Sequence, residues 1–220
     1  MRKDFSRDVD LLTARLTALP TSWEGKRSIL ELKGADFNWR QMEWWAFYFE
    51  FLCRKHLYGD FHFPGDRFDN VSFDLRGFCN FDLKAKAIKS DDQRCILNDV
   101  SATNQSLHRY GVHGAIIALC DVEYNDVSRT FQRWHSALKG GLSEYEKERR
   151  TRTAVSRYRK THANLAEILI LQFNKENIEQ LSTWKQGRNS NGRPRPLKYM
   201  LDLDEVDEFL VQRIAFSNVT

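Results

Sequence analysis

The residues best suited to do chemistry sit in one short stretch, Ser72-Phe73-Asp74-Leu75-Arg76-Gly77-Phe78-Cys79-Asn80-Phe81-Asp82-Leu83-Lys84. Val71, Phe73 and Leu75 alternate with Ser72, Asp74 and Arg76, the two-residue period of a strand running from about Asp69, and Gly77 marks its turn. Phe81, Leu83, Ala85 and Ala87 then alternate with Asn80, Asp82, Lys84 and Lys86, so a second strand returns as a hairpin. The hairpin carries Asp74 toward Asp82, and the strand period sets Lys84 beside Asp82 on one face. A hard cation such as magnesium takes oxygen ligands, commonly one or two carboxylates, and leaves the rest of its octahedron to water and phosphate oxygens. Asp74 and Asp82 would supply those carboxylates, while Lys84 would orient the attacking water or steady the developing negative charge. The chemistry implied is hydrolysis of a phosphodiester. Lys86 and Asp69 are the rival placements for the lysine and the first acid.

These side chains need elements to hold them. The stretch Asn38 to His56 has the strongest helical pattern, with Asn38 as N-cap and Met42, Trp45, Ala46, Phe49, Leu52 and Cys53 as its buried stripe. Glu43, Glu50 and Arg54 share one face of it despite the apolar crowd, so its two carboxylates require partners. An earlier helix over Asp8 to Leu19 is stopped by Pro20. After the hairpin, Cys95, Ile96, Leu97 and Val100 suggest a third strand. Ser101 or Thr103 would cap a helix ending at Gly111, whose Asn104 and Gln105 would face the site mouth. Gly114 to Val122 is almost continuously apolar, the pattern of a strand covered on both faces and reached by a parallel crossover. The fold class is therefore mixed α/β.

An acid at the start of a hairpin followed by acid-x-lysine on the next strand resembles the PD-(D/E)XK nuclease superfamily. Asp74 matches the first acid and Asp82-Leu83-Lys84 the second signature, although Phe73 stands where a proline gives the superfamily its name. That fold also opens with a glutamate-bearing helix, here offering Glu43 or Glu50, and follows the signature strand with a helix and a buried strand. The resemblance covers about Asn38 to Val122. It implies a restriction-endonuclease-like mixed central sheet flanked by helices, with Mg2+ as the cofactor.

The remaining half is where the positive charge lies. Between Lys147 and Lys198 there are thirteen Lys/Arg against four Asp/Glu, a net of +9, which leaves 21 basic and 26 acidic residues elsewhere in a chain of net charge +4. A cationic segment of that density suits a polyanion, because neutralising phosphates releases counterions. Ser143 to Phe173 reads as helical throughout, and Arg149, Arg150, Arg152, Arg157, Arg159 and Lys160 spread charge around it for phosphate contacts. The Gly-, Pro- and Asn-rich stretch from Trp184 to Pro196 reads as a loop. Its Gln186, Arg188, Asn189, Asn191, Arg193 and Arg195 carry the side-chain types that pair with guanine and adenine edges. Tyr199 to Leu203 reads as an edge strand and Glu205 to Ile214 as a short helix, which makes the C-terminal half mostly helical.

At 220 residues, 41% apolar and 29% charged, the chain suits one domain, with a catalytic core over about 38–125 and DNA-binding elements over about 143–200. No apolar run approaches the ~20 residues of a membrane span, no secretory leader opens the chain, and four single cysteines fit buried thiols of a cytoplasmic protein. Serine, cysteine and phosphate-loop signatures are missing, so no nucleotide cofactor is expected. Within the superfamily, a small basic chain with its own readout loop looks most like a type II restriction endonuclease. The resemblance implies a homodimer that cuts both strands of double-stranded DNA. A nuclease that reads branched DNA shape, or a non-catalytic nucleic-acid-binding protein, are the alternatives.

Overall fold

The computed structural model describes residues 3–64, 72–88, 92–141, 147, 158–187 and 194–216. Its elements in chain order are α1 (Lys3–Leu16), β1 (Ser22–Glu24), α2 (Gly25–Gly34), α3 (Trp44–Leu57), β2 (Leu75–Arg76), β3 (Asn80–Ala87), β4 (Arg94–Asp99) and α4 (Val100–Tyr110), then β5 (His113–Glu123), α5 (Thr130–Leu138), β6 (His162–Phe173), β7 (Ser182–Lys185), β8 (Leu197–Asp202) and β9 (Leu210–Ala215). A six-stranded sheet runs β1-β6-β5-β3-β2, with β9 also paired to β6. β3 and β5 are parallel, from Phe81 opposite Gly114 to Ala87 opposite Cys120, and the other pairs are antiparallel. A second sheet has the order β4-β8-β7.

Each face of the large sheet has its own core. On one side α1, α2 and α3 bury Phe5, Leu12, Trp23, Ile29, Trp44 and Phe49 against Phe81, Leu83 and Ile116. On the other, Cys95, Leu97, Leu107 and Leu201 pack with Ala115, Ile117, Leu169 and Leu171. Strand β5 thus feeds alternate residues into both cores, which is why its run from Gly114 is apolar without alternation. The crossover helix α4 ends as read, with Gly111 in the left-handed region at φ 72° and its N–H returned to the Leu107 carbonyl. Among the described residues no helix is long and apolar enough to cross a membrane, and all four cysteines are buried free thiols.

Two close approaches fix the hairpin that carries the site. Asp8 of α1 accepts the Phe78 N–H at 2.6 Å across the β2–β3 turn, and Gly77 leaves room for that carboxylate, which a Cβ would meet at 2.4 Å. On the other side of the turn Gly114 makes space for the Phe81 ring, which a Cβ would approach to 2.2 Å. Phe81 cannot retreat, since it stacks on Phe5 at 5.6 Å and meets the edge of Phe61. Gly114→Ala is therefore expected to cost about 3 kcal/mol by overpacking, read as a lower urea midpoint with an unchanged slope.

Several expectations are corrected. The second half of the helix read over Ser143–Phe173 is strand β6, and residues 142–146 and 148–157 lie outside those described. Leu165, Ile168, Leu169, Leu171 and Phe173 satisfy helical spacing, but a buried strand shows the same dense apolar run, and pairing with β5 and β9 decides between them. The short helix read over Glu205–Ile214 is a 3₁₀ turn, Leu203–Glu208, followed by strand β9, whose backbone completes the β6 ladder. The C-terminal half is accordingly not mostly helical: from 158 onward the described residues form four strands and two 3₁₀ turns, with no α-helix among them. The strand near Tyr199 is central, between β4 and β7, and not an edge. The third helix begins at Trp44, because Asn38 sits at φ 42° and Glu43 occupies the N-cap position. Four elements had gone unread: β1, α2, α5 and β7. Both of these helices have a carboxylate on their first-turn N–H groups, the N-cap Glu24 accepting from Lys26 and Arg27, and Asp126, three residues ahead of the Arg129 N-cap, accepting from Phe131 and Gln132.

Candidate active site

The hairpin splits where the acids lie. β2 pairs with β3 at only two positions, Leu75 with Phe81 and Arg76 with Asn80. One residue further back the Asp74 N–H still donates to the Phe81 carbonyl at 3.0 Å. There the main chain turns away and the Asp74 side chain takes over the ladder, its Oδ2 accepting the Leu83 N–H at 2.7 Å. This bond holds the carboxylate against the open edge of β3.

Phe81 and Leu83 point to the helical core, so Asp82 and Lys84 occupy the opposite face, as their spacing required. Lys84 Nζ lies 3.7 Å from Asp74 Oδ2 and 3.6 Å from Asp82 Oδ2, and donates to the Leu83 carbonyl at 3.1 Å. One ammonium is thus shared by two carboxylates. The Asp82 side chain is 3% exposed, whereas Asp74 keeps 33% and Lys84 28%, which leaves the cluster open to solvent on one side.

Glu50 joins them from α3. Burial, then the charge of Asp74, raises its carboxyl to about 8, with Lys84 opposing and Asp82 adding to the rise. Burial likewise raises Asp74 and Asp82 against the pull of Lys84. Burial alone would depress Lys84, but Asp82, Asp74 and Glu50 overcome it and keep the ammonium charged. With Glu50 raised to about 8 and so mostly protonated at pH 7, the one ammonium is left to serve the carboxylates of Asp74 and Asp82. Asp82 Oδ2 is buried and makes no hydrogen bond among the described residues, with Lys84 Nζ at 3.6 Å, whereas a buried carboxylate oxygen ordinarily has a closer partner. Hard oxygen donors, two carboxylates sharing one ammonium, and a buried oxygen that makes no hydrogen bond suit a divalent cation of the magnesium class held by Asp74 and Asp82. Among the described residues no three His, Cys, Asp or Glu side chains are grouped closely enough to enclose a metal, so water and substrate would complete such a shell.

The other candidates divide sharply. Glu43, two helical turns from Glu50, has its carboxylate engaged by Trp45 Nε1 at 2.9 Å and by the Lys160 ammonium, away from the cluster. Lys160 lies over the rings of Trp45 and Tyr124 and has a side chain only 12% exposed, which makes it part of this local packing and not an open phosphate contact. Arg159 is 6% exposed, so its side chain too is withdrawn from the surface. Lys86 shares the face of Lys84 but donates to the Asp92 and Arg94 carbonyls. Asp69, Arg149, Arg150, Arg152 and Arg157 lie outside the described residues, as do Arg188, Asn189, Asn191 and Arg193. Gln186 and Arg195 bracket that loop between β7 and β8, and the Arg195 N–H donates to the Gly187 carbonyl at 3.2 Å, closing its base. Asn104 and Gln105 are exposed, Asn104 accepting from the Tyr199 hydroxyl at 3.2 Å and Gln105 donating to Ser101 at 3.5 Å.

Sequence reasoning missed three neighbours of the cluster. His113, at the start of β5, is 2% exposed with no partner for Nδ1; burial pushes its pKa down to about 4, Lys84 adding to the fall and Asp74 opposing it. A neutral imidazole therefore backs the site at pH 7. Asp99 and Lys198, from β4 and β8, pair at 2.7 Å, and both act electrostatically on Asp82. The helix-start pattern at Asp99 and the lone lysine at the head of β8 were visible, but only the pairing of two strands far apart in sequence joins them. The chain matches no family model, no curated protein and no solved structure.

Proposed function

We propose that the chain is a magnesium-dependent, sequence-specific endonuclease of double-stranded DNA, a hydrolase of the type II restriction class acting as a homodimer. The observation that carries the reading is the single ammonium of Lys84 shared between Asp74 and Asp82 at the point where β2 leaves β3. A metal bound there would polarise the scissile phosphate and lower the pKa of a water. The chain's own groups do the rest. The Leu83 N–H fixes Asp74 through Oδ2, the oxygen that also faces Lys84. Asp82 presents a buried oxygen that makes no hydrogen bond. Lys84, held from both sides, is placed to orient the water and to stabilise charge on the phosphate as the bond to the leaving oxygen breaks.

Support for DNA as the polymer comes from the charge distribution, +9 over Lys147–Lys198, and from the composition of the loop between β7 and β8. That loop springs from two strands of the smaller sheet, which covers the face of β3 bearing Asp82 and Lys84. A readout element so rooted would place base contacts and chemistry on one side of the molecule. The test is direct. Plasmid and phage DNA incubated with the full chain and Mg2+ should give discrete fragments, and EDTA should abolish them. A smear would remove sequence specificity from the reading, and intact DNA under all conditions would overturn it.

A further inference from the structure

β4 ends at Asp99 and β8 begins beside it, the two paired past a one-residue register shift that sets Asp99 opposite Lys198. Asp99 holds the N-cap position of α4, yet its side chain accepts no hydrogen bond from the helix. An aspartate there ordinarily takes a first-turn N–H, a bond worth about 1 kcal/mol. This carboxylate is given instead to Lys198 Nζ at 2.7 Å, in a pair whose side chains remain 31% and 24% exposed. Such a half-open pair contributes roughly 0–1 kcal/mol, so stability alone does not account for forgoing the cap.

Position accounts for it better. Asn98, the residue before Asp99, donates its Nδ2 to the Ser72 carbonyl at 3.0 Å and so ties the end of β4 to the segment leading into Asp74. The pair therefore lies next to a residue bound to the segment that leads into Asp74, and both of its charges act on Asp82. Asp82 registers Lys198 as its next cation after Lys84. An ammonium has three donors, and the ion pair with Asp99 leaves them available to a phosphate. The buried Asp82 Oδ2, which makes no hydrogen bond and has Lys84 only at 3.6 Å, marks the point toward which a strand of the polymer and its ion would move.

We infer that Lys198 is a second phosphate-holding cation of the site, gripping a backbone phosphate of the DNA strand that enters beside Asp82, with Asp99 as the positioning residue that aims it. The inference rests on the nuclease reading for its substrate but is tested separately from it. In EDTA, binding of the full chain to a short random-sequence duplex is measured over a range of salt. Loss of one phosphate contact in Lys198→Met should reduce the slope of log K against log salt by about 0.9, and Lys198→Arg should restore it. Lys198→Gln, which keeps a donor for Asp99, gives a second uncharged variant should the methionine disturb folding. In Mg2+, kcat/KM should fall about 10- to 100-fold in both uncharged variants and largely recover in Lys198→Arg. A merely structural lysine would change thermal stability without moving the salt slope. A wild-type slope in both uncharged variants overturns the inference whether or not the protein cuts. A reduced slope with no cutting by any form keeps the phosphate contact and removes the hydrolase.

Discussion

Asp82→Ala is expected to abolish magnesium-dependent cleavage, by at least about 1,000-fold, while the protein still binds duplex DNA. Asp74→Ala should do the same, and Lys84→Ala should cost roughly 100- to 1,000-fold. The asymmetry between cutting and binding follows from where the charges are. Asp74 and Asp82 are negative groups that repel the polymer, so their removal takes away a metal ligand without taking away a phosphate contact. Binding by Asp82→Ala should be equal to wild type or tighter in EDTA, measured by gel shift at fixed salt. Folding should also survive, since Asp82 Oδ2 makes no hydrogen bond, its burial disfavours the charged form, and Lys84 keeps Asp74 as a partner. Asp82→Asn, nearly isosteric, separates the loss of charge from the loss of volume. If the three alanine variants lose binding in step with cutting, these residues build the structure of a binding surface and not a catalytic centre. If Asp82→Ala cuts at the wild-type rate, the shared ammonium is an ordinary ion pair.

How much of this was legible depended on how far apart in sequence the interacting parts lie. Asp74 and Asp82 meet through a tight turn, and Lys84 follows Asp82 by one strand period, so alternation alone placed all three. The buried strand β5 was legible for a similar reason, but its parallel partner is β3 and not the third strand that the strand-helix-strand order implied, since β4 belongs to the second sheet. Gly111 stops the helix locally, and the run from Gly114 is too short and too apolar to be anything but a doubly covered strand. Strand β6 was not legible, because a fully buried strand and a buried helix share the same apolar density, and what distinguishes them is an unfilled ladder on β5, about fifty residues away in the chain. Glu43 and Glu50 could not be separated by spacing, since both fall on one helical face. Their environments differ only after folding, when Lys160 engages one and Asp74 approaches the other. The pairing of Asp99 with Lys198 spans a still longer separation and left no local trace.

Glu50→Gln is expected to stabilise the metal-free protein at pH 8 and to leave it unchanged near pH 4. The carboxyl titrates at about 8 in the folded chain, against an ordinary value of 4.5, because burial and Asp74 disfavour its charge. Between those two values the unfolded chain releases a proton that the folded chain retains. The folded state therefore binds more protons, and stability falls as pH rises through this window and levels off above it. At about 1.36 kcal/mol per pH unit the full effect is on the order of 4 kcal/mol, and the glutamine variant escapes it. Thermal melts in EDTA from pH 4 to pH 9 should show the two proteins together at the acid end and diverging toward pH 8. Magnesium acts in the opposite sense. An ion at Asp74 and Asp82 favours the ionised form of Glu50, so wild-type stabilisation by Mg2+ should grow with pH up to about 8, and the variant should show a flatter response. Cleavage by Glu50→Gln should fall as well, by about 10- to 100-fold, the scale expected when a group supporting the ligands is neutralised. A variant no more stable than wild type at pH 8 would mean that Glu50 is not held protonated beside Asp74, and the acidic cluster would reduce to Asp74 and Asp82.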